Sequence, residues 1–134
     1  HLEPLVLLQK KCIRIISKAG YFDHTEPLFN EQKMLTVNEM YSYNCSKFIY
    51  QCYHNSNYLN FKNKLKTNKD IHNHKTRNSN LLRAPYIRLH KFSNSFLPKG
   101  IHMWNIIPDS IKAAKSFDTF KINMKKSIKE LMSN

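Results

Sequence analysis

Residues 100–111 read GIHMWNIIPDSI, and residues 116–121 follow with SFDTFK. The stretch holds the only tryptophan and one of the two glycines of the chain, and it predicts a tight turn that ends one helix and begins another. We expect Trp104 to fill the core between the last helix and the helix before it. Asn105 is expected to cap the turn, and Pro108 is expected to begin the next short turn.

A last helix is predicted to begin after Ser116, because serine is a favoured N-cap residue. Asp118 then lies in the first turn, where the helix dipole favours an acid. Apolar residues recur at helical spacing behind it and predict a buried face. That face consists of Phe117, Phe120, Met124, Ile128 and Leu131.

Two more helices are predicted in the first part of the chain. Residues 2–18 carry an apolar stripe at helical spacing, and Gly20 stands where a left-handed C-terminal cap is usual. The stripe consists of Leu5, Leu8, Cys12, Ile15 and Ile16. Thr36 and Glu39 have capping-box spacing and predict the start of a helix over residues 36–53.

The middle of the chain is less regular. Asn, Lys and His dominate residues 54–80, which predicts a loop with at most a short helix. Residues 81–90 alternate partly, but Pro85 limits them to an edge strand or an extended arm. A helix follows over residues 95–105, with a break or kink expected near Pro98.

These elements predict a mainly α fold with one small domain over residues 1–134. Residues 1–53 form its helical first part, and residues 54–95 a basic loop with at most a short extended edge segment. Residues 96–134 hold the turn and the last helix. Only 2 glycines and 5 prolines occur in the chain, which leaves little room for hairpins or glycine-rich phosphate loops.

The charge is strongly positive. The chain has 22 Lys+Arg against 9 Asp+Glu, a net charge of +13 and a pI of about 9.8. Between Met40 and Pro108 the only acid is Asp70. A surface of this kind attracts polyanions, of which nucleic acid is the usual one. The alternative is compositional drift in an AT-rich genome, which also enriches Lys and Asn.

Cysteine usage and hydropathy indicate a protein inside the cell. The three cysteines have no C-x-x-C spacing and make no disulfide framework, so reduced thiols in the nucleus or cytoplasm are expected. Cys45 and Cys52 share one stripe of the second long helix and are expected to be buried. No signal-peptide pattern or membrane-length apolar run occurs, so a secreted or membrane protein is not expected. The first residue is His1, which suggests an excised piece.

The basic residues that are candidates for phosphate contact lie in three places. Three of them fall within one turn of the first helix, a fourth lies at the end of that helix, and the others follow in the loop and the extended segment. The set consists of Lys10, Lys11, Arg14, Lys18, His74, Arg77, Arg83, Arg88 and Lys91. Each has a plainer alternative, a solvated helix face for the first group and hydrogen bonds that pin the loop for the second. His72 and His74 lack a nearby cysteine or second ligand pair, so no metal site is predicted.

Aromatic and basic residues alternate along the extended segment, where they share one side. They are Tyr86, Arg88, His90 and Phe92. Such alternation is typical of single-strand binding, in which rings stack on bases and cations neutralise phosphates. An edge strand with its rings packed inward is the alternative.

Several blocks of sequence resemble the LINE-type, jockey-like non-LTR retrotransposon reverse transcriptases. LQKKCIRII at residues 8–16 resembles the helix that closes their thumb, and His24 with PLF at residues 27–29 resembles the turn after it. HKTR at residues 74–77 and the Trp104-to-Lys121 segment follow in the same order as in that family. FIYQC at residues 48–52 resembles their F-x-Y-K helix end, although Gln51 replaces the usual basic residue. Cys12 likewise replaces a usual alanine.

The resemblance implies the end of the thumb and the region after it, from an RNA-directed DNA polymerase that uses Mg²⁺. This chain has no adjacent pair of aspartates to hold such ions, so we expect no catalysis and no cofactor on it. The implied partners are RNA and DNA backbones and the remainder of the reverse transcriptase, with no membrane and no small-molecule substrate. The alternatives are a scaffolding module that docks on the polymerase, and a decayed transposon remnant.

Overall fold

A computed structural model describes residues 2–71, 76–86, 88 and 95–133. Within these residues the protein contains seven α-helices and no strand, which confirms the mainly α prediction. The helices are α1 (Glu3–Ile16), α2 (Thr25–Glu31), α3 (Val37–His54), α4 (Leu59–Lys62), α5 (Phe96–Ile106), α6 (Asp109–Lys112) and α7 (Phe117–Ser133). Two 3₁₀ turns occur at Ser56–Tyr58 and Asn68–Asp70.

The chain forms two compact units, His1–Tyr41 and Ser42–Asn134, and the boundary falls inside α3. A single domain over residues 1–134 stays a prediction. None of the helices in the described part of the chain combines the length and apolar character that a bilayer crossing requires.

The first unit packs α1 against α2 and the chain that leads into α3. Ile13 of α1 and Phe29 of α2 are its buried apolar residues, at 1% and 4% exposure. Gln9 fastens α1 to the start of α3, because its Nε2 donates to the Leu35 carbonyl and its Oε1 accepts from the Val37 amide, both at 2.8 Å. The side of α1 that includes Gln9 and Ile13 therefore belongs to this unit's interior.

The start of α3 has the predicted capping box. The Thr36 amide donates to Glu39 Oε2 at 2.7 Å, and the Glu39 amide donates to Thr36 Oγ1 at 3.3 Å. Two amide groups at this helix end, which have no partner within the helix, are thereby satisfied.

The end of α1 differs from the prediction. The helix stops at Ile16, and Lys18 rather than Gly20 takes the left-handed conformation, with φ of 53°. The amides of Lys18 and Ala19 donate back to the carbonyls of Ile15 and Arg14, which is the Schellman pattern with lysine in the usual glycine position. Gly20 instead donates its amide to Asp23 Oδ2 at 2.6 Å, in the turn that follows.

The second unit is built around α3, α5 and α7. Its core residues include Cys45, Ile49 and Cys52 of α3, all at 0% exposure, as predicted for the two thiols. Phe120, Met124 and Ile128 of α7 are also fully buried, whereas Phe117 and Leu131 are half-buried. The N-cap at Ser116 forms as predicted, with the Thr119 amide donating to Ser116 Oγ at 3.1 Å.

Helix α5 runs unbroken from Phe96 to Ile106, so of the break or kink predicted near Pro98 the break is wrong, and the kink stays a prediction. Pro98 lies in the first turn, where the missing N–H would have no intrahelical acceptor in any case. Gly100 lies where α5 approaches α3 closely, since a Cβ built there would be 3.3 Å from Ile49 Cγ1. The small residue allows the two backbones this proximity.

Candidate nucleic-acid interface

Trp104 lies on the buried side of α5, with 8% exposure. Its ring is parallel to that of Tyr53, with an interplanar angle of 8° and 5.3 Å between centroids. Phe120 of α7 lies 6.2 Å from it, and Lys112 Nζ is 5.8 Å from its centroid. Burial raises the pKa of the Tyr53 hydroxyl, and the negative charge of Asp70 raises it further.

Asn105 does not cap the turn before Pro108, and this prediction is corrected. Its Oδ1 accepts from the Leu82 amide and its Nδ2 donates to the Leu82 carbonyl, both at 2.9 Å. The side-chain amide thus pairs with backbone as a neighbouring strand would. These two hydrogen bonds attach the segment around Leu82 to α5. Leu82 is 2% exposed, so the attachment lies in the interior of the unit.

The segment held by Asn105 pairs with residues 66–69 in an irregular antiparallel arrangement. The Arg83 amide donates to the Lys66 carbonyl at 2.9 Å, and the Lys69 amide donates to the Ser79 carbonyl at the same distance. Thr67 and Leu82 form an isolated bridge between these contacts, and the Asn68 amide donates to the Leu81 carbonyl at 3.0 Å. Of the two forms predicted for residues 81–90, the edge strand does not form in the described residues 81–86 and 88, and the extended arm stays a prediction.

This pairing brings together four exposed basic residues that are far apart in sequence. Lys66 and Lys69 come from one segment and Arg83 from the other, and Arg77 precedes Asn78, whose carbonyl accepts from Asn68 Nδ2 at 2.9 Å. We call this set, Lys66, Lys69, Arg77 and Arg83, the basic platform. Like charges on neighbouring stretches of exposed backbone favour a polyanionic ligand.

Asp70 is the only acid between Met40 and Pro108, and its carboxylate accepts hydrogen bonds from Thr67, next to Lys66. The Thr67 side chain donates to Asp70 Oδ2 at 2.6 Å and the Thr67 amide at 2.8 Å. These hydrogen bonds lower the pKa of Asp70, with smaller contributions from Lys69 and Lys66. The carboxylate therefore holds the 3₁₀ turn that carries Lys69.

The predicted phosphate-binding residues of the first unit have different roles. Lys10, Lys11 and Lys18 are exposed, whereas Arg14 is half-buried. Arg14 Nε donates to the Asp23 carbonyl at 3.0 Å and so supports the turn between α1 and α2. Lys10, Lys11 and Lys18 are thus the better candidates for phosphate contact here.

Of the remaining candidates, Arg77, Arg83 and Arg88 are exposed. Tyr86 is 90% exposed, so the alternative in which its ring packs inward is wrong. His74, Lys91, His90 and Phe92 lie outside the described residues. Across the residues that are described, no group of three or more His, Cys, Asp or Glu side chains is placed to hold a metal ion.

The structure adds residues that sequence reasoning missed. Lys66 and Lys69 come close to Arg83 through backbone pairing, which no local sequence pattern predicts. The one sequence signal for a basic surface here was the near absence of acids around these lysines. Tyr21 and Phe22 form an exposed aromatic pair in the α1–α2 turn, at 73% and 90% exposure with centroids 5.0 Å apart. In the sequence, two adjacent aromatic residues between Gly20 and Asp23 could have indicated rings in an exposed turn. Exposed rings beside lysines suit stacking on unpaired bases.

Asn105→Ala tests how the platform is held. Removing the amide leaves the backbone N–H and C=O of Leu82 without these partners, at a cost of about 1–3 kcal/mol. We expect the backbone amides of residues 68, 69 and 83 to exchange hydrogen faster, measured by hydrogen–deuterium exchange and mass spectrometry. Asn105→Asp keeps the acceptor but sets a carboxylate oxygen against the Leu82 carbonyl oxygen, so it should not restore slow exchange. Unchanged exchange in the alanine variant would refute the anchoring role.

Comparison of the chain with family models, with curated proteins and with solved structures found no match.

Proposed function

We propose that this chain is a non-catalytic segment that binds the phosphate backbone of RNA or DNA without reading its sequence. The observation that carries the proposal is the basic platform, in which backbone pairing and the Asn105 anchor hold together the two segments that bear four exposed basic residues. Phosphates are contacted by such side chains whatever the base sequence.

The first unit supports the same function. Lys10 and Lys11 are exposed on α1, and Lys18 follows just after the helix ends. The exposed pair Tyr21 and Phe22 follows a few residues later, which supports contact with unpaired bases as well as phosphates.

The resemblance to LINE-type reverse transcriptases suggests where such binding is used. The chain would belong to the end of the thumb and the region after it, and would act inside the cell, in the nucleus or cytoplasm. Its contacts would position template RNA or target DNA for a catalytic centre, with its Mg²⁺, in another part of the parent polymerase.

The test is retardation of labelled RNA, single-stranded DNA and duplex DNA by the full 134-residue chain, across a salt series. With ~6 phosphate contacts, affinity should fall on the order of a thousandfold between roughly 50 and 200 mM salt. Stronger binding of single strands than of duplex would support stacking by the exposed rings. Absence of retardation for all three ligands at the lowest salt would refute the proposal.

A second measurement separates the first unit's contribution. We expect Lys10→Gln, Lys11→Gln and Lys18→Gln together to reduce the slope of log affinity against log salt by about 3 on duplex DNA. Arg14 is left unchanged in this variant because it supports the α1–α2 turn. An unaltered slope would show that these lysines are only a solvated face.

A further inference from the structure

Helix α1 carries an apolar stripe with coiled-coil spacing that its own unit leaves exposed. Leu5, Leu8, Cys12 and Ile15 are separated by three, four and three residues, which is the a–d pattern of two heptads. Leu5, Leu8 and Ile15 are 52%, 58% and 76% exposed, and Cys12 is also exposed. Leu7 and Ile16 extend the apolar surface on either side, at 61% and 56%.

This stripe is not the face by which α1 belongs to its unit. The face that packs within the unit includes Ile13, which is buried, and Gln9, whose side chain forms hydrogen bonds with the Leu35 carbonyl and the Val37 amide. The helix is thus fixed from one side and presents a second apolar face outward. Contiguous exposed apolar surface of this kind marks interaction sites in folded proteins.

One border of the stripe carries a lysine. In the heptad that places Leu5 and Cys12 at position a, Lys11 takes position g, beside the partner helix. Lys10 and Arg14 take positions f and c, away from the stripe, so Lys11 is the charged residue at its border within the helix, and Glu3 is the only acid in α1. A partner with acidic flanks would gain attraction here, whereas basic flanks would be repelled.

We propose that the α1 stripe binds an amphipathic helix of another protein, with leucine or isoleucine on its apolar face and glutamate or aspartate on its flanks. Helix α1 is about 21 Å long at 1.5 Å per residue, which matches two heptads of a partner. Because α1 is already held in place, only the partner loses conformational freedom on binding.

A second copy of the chain fits this surface less well. In an antiparallel pair of identical helices, g positions meet each other, which would set Lys11 against Lys11. In a parallel pair, g meets the e position of the next heptad, so Lys11 would face Ile16, which offers no opposite charge, while Gln9, the other e position, is engaged in its own unit. Charge and geometry therefore favour an acidic helix from a different protein.

Cys12 provides a direct reporter because it lies within the stripe. Cys45 and Cys52 are at 0% exposure, and burial raises the pKa of the Cys52 thiol, so both should react slowly. The experiment measures alkylation of Cys12 in the full chain by iodoacetamide, with peptide mapping by mass spectrometry. The probe is a synthetic three-heptad peptide with Leu at a and d and Glu at e and g. One control peptide has Lys at e and g, and another has the same composition with the Leu pattern scrambled.

We expect the Glu-flanked peptide to slow Cys12 alkylation about tenfold at a concentration ten times its Kd, because about nine tenths of the chain is then occupied. The two control peptides should have little effect. Leu8→Gln with Ile15→Gln should abolish protection without unfolding the chain, since both side chains are exposed. Lys11→Glu should weaken protection by the Glu-flanked peptide and strengthen that by the Lys-flanked peptide.

Three outcomes would overturn the proposal. Lack of protection by the Glu-flanked peptide would show that the stripe is no docking surface for such a helix. Equal protection by the Glu- and Lys-flanked peptides would show that the stripe has no preference for a partner helix with acidic flanks. Protection that rises with protein concentration alone would identify the occupant as a second copy. Each outcome is independent of nucleic-acid binding, which the retardation assay reports separately.

Discussion

Trp104→Ala is expected to lower the free energy of unfolding of the second unit by about 3–5 kcal/mol, because it removes a large buried ring and leaves a cavity. The ring is 8% exposed and stacks on Tyr53, with Phe120 also nearby. Since a small domain has only about 5–15 kcal/mol of stability in total, this loss can leave much of the population unfolded.

The measurement is urea denaturation followed by far-ultraviolet circular dichroism, because the variant has lost the only tryptophan. Trp104→Phe keeps an aromatic ring against Tyr53 and should cost less. Tyr86→Ala serves as the matched control, since that ring is 90% exposed and its loss should change stability by less than about 0.5 kcal/mol. A Trp104→Ala midpoint equal to that of the wild type would contradict the packing described for this residue.

Neutralising the basic platform is expected to cause the largest loss of nucleic-acid affinity. The variant combines Lys66→Gln, Lys69→Gln, Arg77→Gln and Arg83→Gln. With four phosphate contacts removed, the slope of log affinity against log salt should fall by about 3–4 on duplex DNA. At low salt the affinity itself should fall on the order of a hundredfold or more.

A control variant with the same change in net charge distinguishes binding at the platform from attraction of nucleic acid by the total charge of the protein. Lys99, Lys115, Lys125 and Lys126 are exposed residues outside the platform, and their replacement by Gln also lowers the net charge of +13 by four. We expect this control to lose much less affinity than the platform variant. Equal losses would mean that total charge, not the platform, governs binding.

The helices were accessible from sequence because their signals are local. The Thr36–Glu39 capping box, the Ser116 N-cap and the buried stripe of Phe120, Met124 and Ile128 each depend on neighbours within about one or two turns. Such signals act before any long-range contact exists, so a single sequence reveals them.

Errors arose where a local rule had two possible outcomes. Proline near residue 98 predicted a break, but the helix begins only two residues earlier, so the proline falls in a permitted position. Glycine at position 20 predicted the helix cap, but α1 ends sooner and Lys18 adopts the left-handed conformation. Both errors reflect the uncertainty of helix boundaries and not of helix existence.

The sequence by itself determined the helical class and the positive charge, because periodicity, capping and composition are properties of the chain alone. Only the tertiary structure decided which basic residues stand together and which side of α1 is covered. The Asn105–Leu82 contact spans 23 residues, and α1 has two faces that each include apolar residues. No local pattern selects between such arrangements, since long-range packing and hydrogen bonding determine which of them has the lower free energy.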